Sequence, residues 1–78
     1  MNNTIAMPYD YRLRLINGNE VPVFEVHALS RKGLDKYIAL GKAAFRILIE
    51  RRELYSSFWE TIETIRRVND SLVSEYPA

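Results

Sequence analysis

Residues 34–54 read LDKYIALGKAAFRILIERREL, and the way this stretch folds decides the architecture of the whole chain. Leu34, Tyr37, Ile38, Phe45, Leu48 and Ile49, with the small Gly41 and Ala44 between them, recur at helical spacing and share one face. Leu40, Ile47 and Leu54 stand seven residues apart and form a second stripe, about 100° round the same helix. Just upstream, Ser30 suits an N-cap, and Leu29 and Leu34 occupy the N′ and N4 positions of a hydrophobic staple. The spacing therefore predicts a long helix from Ser30 to about Leu54. A break near Gly41 is the open alternative.

Working outward, residues 9–28 predict a β-hairpin. Tyr9 to Ile16 and Val21 to Ala28 are rich in aromatic and β-branched residues and flank the turn signal Asn17–Gly18–Asn19–Glu20. A four-residue loop sets Leu15 against Pro22, Leu13 against Phe24, Tyr11 against Val26 and Tyr9 against Ala28. On the other face it sets Arg12 against Glu25 and Asp10 against His27. Pro22 lacks an N–H, which makes the second strand an edge there. Downstream, Ser57–Phe58–Trp59–Glu60 fits a capping box, and Phe58, Ile62, Ile65, Leu72 and Tyr76, flanked by Val68 and Val73, fit the apolar stripe of a last helix. Glu63–Arg67 and Arg66–Asp70 then become i,i+4 ion pairs on its outer side. The expected fold is α+β: an N-terminal hairpin, a long helix and a second antiparallel helix (ββαα). Residues 9–76 form one domain, and residues 1–8 a flexible arm or short extra strand.

At 78 residues, with 47% apolar and 27% charged side chains, the chain has ordinary globular composition but room for a small core only. It contains no cysteine, so neither a disulfide framework nor a thiolate metal site supplements that core. Small domains of this kind gain stability by oligomerising or by docking on a partner. Met1–Asn2–Asn3–Thr4 has no basic start and no apolar run follows, so a cytoplasmic location is the expectation. The net charge of +1 is unevenly spread. Residues 31–52 carry seven basic side chains against Asp35 and Glu50, between two acidic ends. Such a pattern fits an acidic partner, or an internal match between the basic and acidic segments.

Nothing in the sequence assembles a catalytic set. His27 faces Asp10 in the expected hairpin, but no third group joins them, and Ser30 is occupied as a cap. One histidine and scattered carboxylates do not make a metal site, and Gly18, Gly33 and Gly41 are isolated rather than gathered into a phosphate loop. Neither enzyme activity nor a cofactor or small-molecule substrate is expected.

Two stretches resemble binding machinery. Residues 34–54 partly resemble a helix-turn-helix, with Leu40–Gly41 as the turn, Ile47 as the buried position after it, and Arg46, Arg51 and Arg52 as groove-facing cations. Tyr37, Lys42 and Glu50 depart from that pattern, and Ala43–Ala44 offers no cap for a second helix. The strand–helix–helix order likewise resembles a ribbon-helix-helix protein, again without the polar cap. This resemblance implies a small DNA-binding regulator that uses Lys32, Lys36, Lys42, Arg46 and Arg52.

The other stretch is apolar surplus. Leu40, Ile47 and Leu54, with Arg51 beside them, and the hairpin-tip residues Ile16, Val21 and Val23 lie off the expected core faces. Trp59 adds an aromatic anchor. The expected function is a small non-catalytic regulatory or inhibitory protein, such as a transcription co-regulator, that binds a partner protein or itself as a homodimer. Chains of this size are frequent among phage and plasmid accessory proteins. DNA binding through residues 31–52 is the alternative.

Overall fold

Arg46–Glu53 is a strand, and that single fact reorganises the chain. The computed structural model describes residues 9–39, 41 and 46–76. Five strands form one sheet: β1 (Tyr9–Ile16), β2 (Pro22–Ala28), β3 (Arg46–Glu53), β4 (Glu60–Val68) and β5 (Ser71–Glu75). Their spatial order is β2-β1-β3-β4-β5, and all neighbours are antiparallel. Between β2 and β3 lies a 3-10 turn, Lys32–Leu34, that runs into a single helical turn, α1 (Asp35–Ile38). Both β2 and β3 oppose β1, so they run in the same direction. The chain must cross over β1 to join them, and this carries the helical segment onto one face of the sheet.

The expected ββαα arrangement is therefore corrected to a five-stranded antiparallel sheet with one short helical segment. The long helix over residues 30–54 fails because Ile47 and Ile49, two apart, are both fully buried with Leu48 between them turned to the other face. That is a strand period, and a short apolar run satisfies both periods at once. Leu29 is 85% exposed, so the staple does not form. Ser30 Oγ accepts a hydrogen bond from the Gly33 N–H, but the N-cap positions of the 3-10 turn and of α1 are Arg31 and Leu34, neither with a side-chain cap. The last helix is instead the β4–β5 hairpin. Ser57 lies in the β3–β4 loop and Glu60 opens β4, so there is no capping box. Glu63 and Arg66 pair with Arg31 and Glu75 rather than within a helix.

The hairpin at residues 9–28 is present, with its register shifted by two. Leu15 pairs with Phe24, Leu13 with Val26 and Tyr11 with Ala28, and the pairing slips at the tip, where Ile16 meets Pro22. Val23 is the extra residue of that bulge. The loop is closed by Asn17, whose Oδ1 accepts from the N–H groups of Asn19 and Val21, with Glu20 at φ 62°. A two-residue shift keeps every side chain on its expected face. It also replaces the expected Arg12–Glu25 and Asp10–His27 pairs with Arg14–Glu25 and Arg12–His27.

The core lies on one face of the sheet, beneath the helical segment. Tyr11 and Leu13 of β1, Leu34, Ile47 and Ile49 of β3, and Ile65 of β4 form it, with Leu15, Val26, Tyr37 and Ile62 packed around them. Gly41 is buried there, and a Cβ on it would sit 2.7 Å from Ile47 Cδ1 and 2.9 Å from Leu15 Cδ2. Only glycine lets the crossover come this close. Gly41→Ala should lower stability by about 1–2 kcal/mol through overpacking, read as a lower denaturation midpoint with an unchanged slope.

Candidate interaction surface

Alternation along the strands puts a second set of side chains on the sheet face away from the helical segment. Arg12 lies directly opposite Glu50, and Arg14, two residues further on, lies opposite Leu48 on the same face. The Glu50 carboxylate accepts from Arg12 Nε at 2.8 Å and from Arg14 Nε and Nη2 at 2.9 and 3.0 Å. It is almost completely buried by them. Trp59, half-buried in the β3–β4 loop, has the Arg12 guanidinium 4.1 Å and the Arg52 guanidinium 4.6 Å from its ring centre. The His27 ring meets it edge-on at 5.6 Å. Arg52 in turn binds Asp10, its cross-strand partner. His27 lies 2.8 Å from Glu25, and this hydrogen bond holds the Glu25 carboxyl below its usual range. Three arginines and three carboxylates thus neutralise one another around an indole.

The same cancellation runs through the basic central segment. Arg31 binds the buried Glu63 and also Asp35, and the Glu63 carboxylate raises the Arg31 pKa further. Arg46 pairs with Glu20, and Arg51 with Glu60 at 2.8 Å while stacking over Tyr9. Of the residues that would have faced DNA, Arg46 and Arg52 lie on the outer sheet face, Lys32 and Lys36 are exposed on the helical segment, and Lys42 lies outside the described residues. The four that are described do not line one groove.

The expected apolar contact surface is also dispersed. Ile47 and Ile16 are buried, at 1% and 3% exposure. Leu54, in the turn after β3, and Val23, at the β1–β2 bulge, are exposed at opposite ends of the sheet. Arg51 is bound to Glu60, Trp59 belongs to the arginine cluster, and Leu40 lies outside the described residues. Ile47, the middle of the expected Leu40–Ile47–Leu54 stripe, belongs to the core rather than to a contact surface. An open cleft of about 640 Å³ between the helical segment and β4 is lined by Arg31, Lys32, Asp35, Ile62, Glu63 and Tyr76. Arg31, Asp35 and Glu63 there already bind one another. Among the described residues no group of three His, Asp or Glu side chains is placed to hold a metal ion, and no helix is long and apolar enough to cross a membrane.

What the sequence reading missed is the edge at β5. All five residues of Ser71–Glu75 are exposed, and Val68, Leu72, Val73 and Tyr76 put apolar side chains on or beside the strand. The turn before it, Asn69–Asp70, has φ values of 50° and 67°, the two left-handed residues of a type I′ hairpin. In such a hairpin the closing pair, Val68–Ser71, is hydrogen bonded, and so therefore is every second pair beyond it. The alternate residues Leu72 and Ser74 turn their N–H and C=O groups to the open side. The pairing with β4 runs without a bulge, and β5 contains no lysine or proline. The other edge, β2, begins with Pro22, is bulged at Val23 and carries Glu25 and His27, features that discourage pairing. The signal was in the sequence: Asn69–Asp70, a turn pair, follows a segment rich in threonine and isoleucine.

No protein-family model matches the chain, and neither the curated proteins nor the solved structures include a match to it.

Proposed function

We propose that this is a non-catalytic protein that acts by binding another protein chain, as a regulator or inhibitor does, and that it binds along the β5 edge. One observation carries the reading: β5 is a regular, unbulged edge strand, exposed at each of its five residues, with outward-facing backbone groups and apolar flanks. Such an edge accepts an added strand, with backbone hydrogen bonds supplying affinity and alternate side chains supplying selectivity. The arginine cluster supports this choice indirectly, because its charges are already satisfied within the sheet and offer phosphates little. Cytoplasmic residence belongs to the same proposal, since a chain without cysteine draws nothing from an oxidising compartment.

The test is capture from the native host after nuclease treatment, with wild type and Ser74→Pro compared. Proline at position 74 removes an outward N–H and no bond to β4. A protein, whether another chain or an untagged copy of this one, should be retained by wild type and lost by the variant. Cargo that disappears with nuclease, or that is indifferent to Ser74→Pro, would defeat the proposal.

A further inference from the structure

We infer that the strand which adds to β5 is the β5 of a second copy, antiparallel, with Val73 facing Val73 across a two-fold axis. The inference rests on the reading of β5 as the binding edge and goes further by naming the occupant and the register. Three features of the strand carry it.

The first is hydrogen-bond phase. Because Leu72 and Ser74 hold the outward groups, a two-fold about Val73 sets Leu72 against Ser74 of the other copy, and Ser74 against Leu72. Both become bonded pairs, and Val73 meets its equivalent as the unbonded pair between them. Every outward group of these two residues is satisfied, and none is left facing a blank.

The second is charge. In this register Glu75 lies opposite Ser71, a small neutral residue, and the two Glu75 side chains stand at opposite ends of the pairing. Each is held by its own Arg66 at 3.1 Å. No like charges face each other. Shifting the register by two residues in one direction sets Glu75 against Val73 and leaves the carboxylate on an apolar neighbour.

The third is side-chain matching. On the face continuous with the core, Leu72 gains the diagonal neighbours Leu72 and Tyr76 of the second copy. On the outer face the two Val73 side chains meet. Leu72, Val73 and Tyr76 are 41, 40 and 70% exposed in the single chain, so the pairing covers the apolar surface that the fold leaves open along this edge. The result is a continuous ten-stranded sheet. It also answers the small size of the core, as association does for short domains without disulfides.

The register makes a sharp test, because the chain has no cysteine of its own. Val73→Cys should form an intermolecular disulfide under mild oxidation, since unbonded antiparallel partners have Cα atoms about 4.5 Å apart. In the same dimer two Ser71→Cys residues stand roughly 14 Å apart and should not link. In either register shifted by two residues, Val73 is about 8 Å from its equivalent, outside disulfide reach. Light scattering should give twice the chain mass for wild type and the chain mass for Ser74→Pro. A wild type that stays monomeric, with Val73→Cys unlinked, overturns the second-copy assignment. If Ser74→Pro nonetheless abolishes capture of another protein, the binding edge stands and only its occupant was wrong. A dimer that survives Ser74→Pro without linking at Val73→Cys overturns both.

Discussion

Ile47→Gln should unfold the chain. Ile47 is 1% exposed, pairs with Leu15 on one side and Ile65 on the other, and is the side chain against which Gly41 packs. Removing its branched hydrocarbon costs the transfer and cavity terms of a large-to-small change, and the amide that replaces it finds itself without a hydrogen-bond partner in an apolar layer. Together these come to about 3–5 kcal/mol. A domain of this length has roughly 4–12 kcal/mol in total, and one with so few fully buried side chains belongs towards the lower end. Far-ultraviolet circular dichroism and amide dispersion should both report loss of the sheet at 37 °C. Leu54→Gln and Val23→Gln, at exposed positions, should change stability by no more than about 0.5 kcal/mol. A helix with Ile47 on an outward stripe requires the reverse: an intact Ile47→Gln variant with impaired association. The contrast between positions 47 and 54 thus separates the strand from the helix without a structure.

That contrast also explains which parts of the fold were legible. The strands of the first hairpin, Tyr9–Ile16 and Pro22–Ala28, announce themselves because aromatic and β-branched residues flank a single strong turn. Their register does not, because the loop encloses five residues (17–21) rather than four and the bulge at Val23 takes up one more, and the sequence marks neither. Residues 46–53 carry only a short apolar run, Ile47–Leu48–Ile49, before four charged residues. Over so few positions the two periods cannot be told apart, and the seven-residue spacing of Leu40, Ile47 and Leu54 is coincidental. Tertiary context decides: the β1 face needs a partner, and Ile47 and Ile49 complete it. In residues 60–75 the apolar positions also fit a helix, and the decisive cue was Asn69–Asp70, which a helical reading treats as a polar interruption. Missing that turn hid the β5 edge. The ion pairs were legible only as a charge imbalance between segments, since pairs such as Arg46–Glu20 and Arg31–Glu63 join residues far apart in sequence. Among the described residues, the arginines of segment 31–52 are paired within the chain.

The second large effect is expected at Glu50. Glu50→Ala should cost about 2–3 kcal/mol, far more than loss of an ordinary surface ion pair. The Glu50 side chain is 6% exposed and its carboxylate accepts three hydrogen bonds from the guanidinium groups of Arg12 and Arg14, whose side chains are only 15% and 26% exposed. Bonds to charged groups contribute more than neutral ones, and removing the anion leaves two cations adjacent on one sheet face without their counter-charge. The cost stays below that of a fully buried pair because both arginines can swing partly into water. Glu60→Gln provides the comparison: it breaks the exposed pair with Arg51, which water screens, and should change stability far less than Glu50→Ala. Salt separates the two further. High ionic strength should erase the small Glu60 effect and leave most of the Glu50 effect, because screening reaches exposed charges and not a carboxylate enclosed by its partners. Trp59, the single tryptophan of the chain, reports on the same cluster. With Glu50 gone, nothing fixes Arg12 at its place 4.1 Å from the indole ring, and the emission of the folded variant should shift. Unchanged emission together with unchanged stability would mean that the outer face is not locked by Glu50. Its arginines would then be available to an anionic partner, and the case for the β5 edge as the binding surface would lose its indirect support.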